Sequence, residues 1–138
     1  MKVQVIRSNR KTIGLEVRAD ESVILRAPAV DEISDVEWKS ILGEFTERVN
    51  HFCKVMDVPV GRITIRNQKT RWGSCSSKGN VNFNYQLYYM PRELMDYVII
   101  HELSHRRHMN HSAEFWQEVE KYCKTYRECR KKLRDYEI

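Results

Sequence analysis

A mixed α+β domain is what this sequence predicts, and three observations carry the prediction. Short alternating apolar runs fill Met1–Ala27. Apolar residues then recur at helical spacing from Ile33 to Met56. Further on, the apolar run "LMDYVII" leads without a break into "HELSHRRHMNH", which holds four of the chain's five histidines. Strand-like and helix-like periodicities in separate stretches imply a sheet and helices packed around a common core.

The elements follow in order. "VQVI", "TIGLEV" and "SVILRAP" are separated by polar turns at Ser8–Lys11 and Ala19–Glu21, and read as three antiparallel strands, the third closed by Pro28. Ile33, Val36, Ile41, Phe45, Val49, Phe52 and Val55 or Met56 then mark one long helix, with Gly43 as the point where it would break. "VPVGRITIRN" supplies a turn and a strand at Arg62–Arg66, and "KTRWGSCSSKGN" reads as a loop. In "NVNFNYQL" the residues Val81, Phe83, Tyr85 and Leu87 alternate with Asn82, Asn84 and Gln86. That is a strand with one polar face, placed at a sheet edge or lining a cleft. Pro91 suits the first turn of a helix, where its missing N–H costs nothing, and the helix then runs through "PRELMDYVIIHELSHRRH". Phe115, Trp116, Val119, Tyr122, Cys123 and Tyr126 continue at helical spacing as core, and "RECRKKLRDYEI" closes the chain as a charged amphipathic helix with a solvated basic face.

Composition narrows the function classes. At 138 residues, 41% hydrophobic and 31% charged, the chain reads as a single domain, 1–138, with one modest core. No stretch approaches the ~20 apolar residues of a membrane span, and the N-terminus has no apolar secretory region. The four cysteines are widely spaced without a CxxC pair, as in reduced thiols of a cytoplasmic protein. A net charge of +5 favours anionic partners only weakly.

The chemistry lies in His101, Glu102 and His105. Spaced i and i+4 on a helix, the two imidazoles project from one face, with Glu102 beside them. This is H-E-x-x-H, which can bind one tetrahedral zinc and use the glutamate as general base. The preceding apolar segment makes this a buried helix, and buried imidazoles need partners that a metal supplies. His111 is the preferred third ligand. A straight helix would carry it about 15 Å along the axis from His101, so the chain must turn within "RHMNHS". Asn110 would end the helix in the left-handed conformation, and Ser112 or Asn110 would cap the next one. The spacing matches the metzincin pattern H-E-x-x-H-x-x-G-x-x-H, with His108 in place of the glycine. His108 shares the helical face of His101 and His105 and stays open as an alternative ligand.

"VIRSNRKTIGLEVRADESVILRAP", "KTRWGSCSSKGNVNFNYQL" and "DYVIIHELSHRRHMNHSAEFW" together resemble the YgjP-type metal-dependent hydrolases, zincin-like proteins allied to the SprT-like and WLM metallopeptidases. The resemblance spans nearly the whole chain. It implies zinc on His101, His105 and His111, with Glu102 as catalytic acid/base. The chain departs from the family in a shorter stretch between Pro28 and Trp72.

The expected architecture is therefore zincin-like: an N-terminal antiparallel sheet, a long helix, a short second sheet, the H-E-x-x-H helix and C-terminal helices. The expected activity is zinc-dependent hydrolysis of peptide or protein. Arg71, Trp72, Asn82, Asn84 and Tyr85 are the candidate substrate-binding residues, and Tyr85, Tyr88 or Arg71 would hold the oxyanion. Two other readings remain open. One is a nucleotide or phosphoanhydride hydrolase, which needs cations clustered at the metal. The other is a SprT-like nucleic-acid-associated protease, which needs a basic stripe leading to the cleft.

Overall fold

The computed structural model describes residues 27–136 and, upstream of them, the strand residues Glu16–Val17 and Val23–Ile24. β1 (Glu16–Val17) and β2 (Val23–Ile24) pair antiparallel, in the second and third of the alternating runs. The first run, "VQVI", lies outside the described residues.

The long helix α1 spans Asp35–Met56 and passes Gly43 without a break. Ser34 caps it, its Oγ accepting from the Glu37 amide at 3.1 Å, so one otherwise unpaired N–H of the first turn is satisfied. At the other end Asp57 takes the left-handed conformation (φ 57°). The Val58 and Asp57 amides then donate back to the Cys53 and Lys54 carbonyls, a Schellman closure. Ile41, Phe45, Val49, Phe52 and Met56 form the buried stripe. Ile33 falls just before the helix, and Val36 is 77% exposed, so the stripe begins later than the apolar spacing predicts. Arg48 on α1 donates two hydrogen bonds, of 3.0 and 2.8 Å, to the Asp96 carboxylate. This planar fork fixes α1 against the second helix.

β3 (Ile63–Arg66), β4 (Gly73–Cys75) and β5 (Val81–Asn84) form a sheet in the order β3-β5-β4. β5 is parallel to β3 and antiparallel to β4. Two expectations are corrected here. The strand with the asparagine face is central, not an edge, and part of the presumed loop, Gly73–Cys75, is one of the two edge strands. Moreover β5 ends at Asn84, and Tyr85–Tyr89 form a 3-10 turn instead of continuing the alternation. The cause is Asn84 itself. It is fully buried; its Oδ1 accepts from the Gln86 amide at 3.0 Å, and its amide donates to the Gln68 and Arg71 carbonyls at 3.0 and 3.2 Å. A side chain that satisfies the backbone this way competes with the ladder.

α2 (Arg92–Ser104) is buried almost all round, with Leu94, Met95, Tyr97, Val98, Ile99, Ile100 and Leu103 in the core. A helix apolar on every side belongs at the centre of a fold, and α2 packs against α1, the sheet and both later helices. α3 (Ala113–Tyr122) and α4 (Tyr126–Arg134) are separate helices. The apolar spacing that seemed continuous from Phe115 to Tyr126 is broken at Cys123, whose backbone is extended (φ −142°, ψ 90°). Among the described residues no helix is long and apolar enough to cross a membrane.

Candidate metal centre

The last turn of α2 determines where the histidines go. His105 is the C-cap, so the helix ends three residues before His108. It ends by tightening: the amides of His105, Arg106 and Arg107 each bond to the carbonyl three residues back. Among the described residues only Asp57 and Gly79 have positive φ. Asn110 is therefore not the left-handed stop that was expected, and the absence of glycine at His108 costs nothing. Ser112 caps α3, with its Oγ accepting from the Phe115 amide at 3.3 Å. Arg107 braces the return, donating to the carbonyls of Met56 and Asp57 at 3.0 and 3.1 Å and pairing with the buried Glu118 at 3.5 Å.

This turn brings His101, His105 and His111 together, one nitrogen of each within 4.8 Å of the others. The Nε2 atoms of His101 and His111 are 3.3 Å apart. Two nitrogens on a tetrahedral zinc with bonds of ~2.0–2.1 Å sit at about that separation. The opposite ring nitrogens are occupied. His101 Nδ1 lies 3.1 Å from the Tyr97 hydroxyl, and His105 Nδ1 lies 3.0 Å from the His108 carbonyl. Protonation of each Nδ1 would leave the Nε2 lone pairs free for a cation, the usual arrangement behind a metal-bound histidine. Burial, reinforced by His105 and His111, pushes the His101 pKa down to about 3. Burial also lowers that of His105. Both rings are then neutral donors at neutral pH, and the set fits a divalent ion.

Phe115 is the floor of the cluster. Its ring stacks on His105 at 4.5 Å and meets His101 and His111 edge-on at 5.0 and 4.9 Å. Trp116 stacks on His111 at 5.9 Å. Helix α3 thus fixes His111 in the way its apolar spacing suggested.

Glu102 is 6% exposed, and burial raises its pKa to about 8 against a small opposing pull from Arg71. Gly73 of β4 makes room for it. A methyl group there would lie 3.1 Å from Glu102 Cγ, Val98 Cγ1 and the Asn82 carbonyl, so glycine lets β4 come this close without displacing them. A cleft opens on each side of Glu102. One, of about 300 Å³, is lined by Arg71, Ser74, Cys75 and Met109 with the three histidines. The other, of about 330 Å³, is lined by Trp72, Tyr97, Arg130 and Arg134. Gly73, His101 and Glu102 belong to both.

Of the sequence-nominated substrate residues, Arg71 and Trp72 border these clefts. Asn82, Asn84, Tyr85 and Tyr88 do not. Asn82 donates to Ser74 Oγ at 3.2 Å, Asn84 is spent on the backbone, and the Tyr85 hydroxyl donates to the Pro28 carbonyl in the core. Tyr88 packs edge-on against Tyr89. Tyr97, Arg130 and Arg134 were missed. Tyr97 precedes His101 by one helical turn, a spacing that could have revealed it. The two arginines look in sequence like any other cations of a basic run.

A family model described as YgjP-like, metallopeptidase domain, matches residues 29–136. No functionally curated protein matches the chain. Among solved structures, the chain is similar to the metallopeptidase zymogen of Pyrococcus abyssi abylysin, with 25% identity and a TM-score of 0.59 over 64% of this chain and 90% of that one. It is also similar in fold to the metallopeptidase zymogen of Methanocaldococcus jannaschii jannalysin, with 23% identity and a TM-score of 0.59 over 66% and 94% of the two chains.

Proposed function

The chain belongs to the YgjP-like metallopeptidase family, and from that premise we propose that it is a zinc peptidase acting as one domain over residues 1–138, with its zinc on His101, His105 and His111. The observation that carries this reading is the convergence of three imidazole nitrogens beside a buried carboxylate. When bound, the zinc supplies Lewis acidity, polarising the scissile carbonyl and acidifying the attacking water. Glu102 takes the water's proton on its carboxylate and returns it to the leaving amine. Its burial suits this role, because desolvation makes the carboxylate basic enough to hold a proton between the two transfers. Arg71, which precedes β4 and lines the cleft of the three histidines, donates to the developing oxyanion. The four free cysteines fit a reducing compartment such as the cytoplasm.

The substrate would lie along β4. Among the described residues this strand pairs only with β5, and Gly73, Ser74 and Cys75 line the cleft of the three histidines. An extended peptide can add to that free edge by backbone hydrogen bonds, a mode that reads the main chain more than side chains.

Tyr97→Phe should weaken zinc binding about 10–100-fold, since it removes only the group that orients His101. Titration against a chelator of known affinity checks this, and unchanged affinity would remove Tyr97 from the site. To test the function, the zinc-loaded protein is incubated with a mixed peptide library and, separately, with nucleoside triphosphates. The expected result is peptide cleavage that stops on chelation and returns with zinc. Phosphate release with no peptide cut would overturn the reading in favour of a phosphoanhydride hydrolase.

A further inference from the structure

Helix α4 carries Arg127, Arg130, Lys131, Lys132 and Arg134 against a single acid, Glu128. Lys132 is paired with Glu93 at 2.7 Å. Among the described residues none of the other four cations has a carboxylate within ion-pair distance. A solvated basic face would account for that if these side chains pointed away from the site, but two of them do not. Tyr126, Cys129 and Leu133 bury one side of α4. Arg130 and Arg134, one turn apart, line the same cleft as His101 and Glu102. Both also line an adjoining groove of about 580 Å³, where Arg127 and Lys131 face one acid, Glu120.

Arg130 is held in place by aromatic rings. Its guanidinium sits 4.5 Å over the Trp116 ring, which also stacks with Tyr126 at 5.2 Å and with His111 at 5.9 Å. A cation–π contact orients a guanidinium without using its N–H donors, so they remain free for a ligand.

This arrangement is costly for a site that must hold a divalent cation. Arg71, Arg130 and Arg134 line the two clefts, and Glu102 is the one carboxylate among their lining residues. Such a cluster is also what a phosphoanhydride substrate would call for; on the peptidase reading, an anionic group of the peptide relieves the excess charge.

We infer that Arg130 and Arg134 form a specificity subsite that takes a carboxylate of the peptide substrate, beside the scissile bond. The inference rests on the peptidase reading above and deepens it: backbone pairing along β4 holds the chain, and this wall selects its charge. Two guanidinium forks one helical turn apart can each make bidentate bonds to a carboxylate. That carboxylate comes from an Asp or Glu side chain or from a free C-terminus.

The test uses three peptides that differ at one position flanking a known cleavage site, as Glu, Gln or Lys, each made with a free and an amidated C-terminus. For the zinc-loaded wild type, kcat/KM should favour Glu over Gln by about 10–100-fold, the span of a charge-assisted hydrogen bond. If Glu is favoured in both the free and the amidated series, the source is the side chain; if the three peptides are alike but amidation lowers all three by that factor, the source is the terminus. Arg130→Glu should shift the Glu:Lys ratio toward Lys by at least about tenfold. Arg134→Glu does the same on a side chain with no packing role, which covers the case of an Arg130 variant that fails to fold. Cleavage that is indifferent both to the residue and to amidation, or an equal loss on all three amidated peptides in a folded variant, overturns the subsite.

Binding separates this inference from the peptidase reading. Zinc-loaded Glu102→Gln should bind the labelled Glu peptide more tightly than the Lys peptide, and the advantage should fall as salt rises. Cleavage of no peptide sinks the peptidase reading, while binding indifferent to charge sinks the subsite. A short single-stranded oligonucleotide that displaces the Glu peptide at a tenfold lower concentration would make this wall a nucleic-acid surface and overturn the assignment.

Discussion

Glu102→Gln is expected to lower peptide turnover about 10²–10⁴-fold, the usual worth of a positioned general base, at unchanged zinc content and melting temperature. The expectation rests on where the side chain sits. Glu102 is buried and packs closely against Gly73, so a shorter residue would leave a hole beside the histidines. Glutamine keeps the length and shape. What it removes is the ability to accept a proton from water and return it. Three measurements on one preparation decide the matter: zinc per chain, melting temperature and turnover of one peptide. Turnover at the wild-type level would take Glu102 out of the mechanism. Loss of zinc would make it a ligand.

What could be read in the sequence, and what could not, divides along physical lines. α1 was legible because it buries a long stripe, and burial over several turns leaves a period in the sequence; the H-E-x-x-H helix, buried almost all round, was legible from its apolar run, the proline at its start and the i, i+4 histidines. Ser112 as the cap of α3 was legible because capping is local chemistry. β4 was not. Gly73-Ser74-Cys75 has no alternation and is too short to signal a strand; it is one only because β5 offers it a partner. The same pairing moved β5 from the edge to the centre, which changed the strand available to a substrate. The end of β5 was hidden for another reason. "FNYQLYY" keeps alternating, but Asn84 is buried and satisfies the backbone itself, so the alternation outlasts the strand. For the arginines of α4, only the fold distinguishes one that meets solvent from one that meets His101.

His111→Ala is expected to lose zinc under dialysis against a mild chelator, and His108→Ala to keep it at about one per chain. Both residues lie in the turn between α2 and α3, and sequence spacing alone could nominate either. The structure gives them different tasks. His108 offers its backbone carbonyl to His105 Nδ1, a contact that survives removal of its side chain. His111 brings its Nε2 to 3.3 Å from that of His101, and is steadied by Phe115 and Trp116. Deleting a direct donor should cost more than the ~10–100-fold of a supporting residue. The loss also has a stability readout. A ligand at 1,000 times its Kd adds ~4.1 kcal/mol to the folded state, so zinc should raise the melting temperature of wild type and His108→Ala but not of His111→Ala. The reverse pattern would place the third donor on His108. For its ring to join His101 and His105 on one face, α2 would have to continue another turn past Ser104, and the bonds that now close the helix at His105, Arg106 and Arg107 would not form.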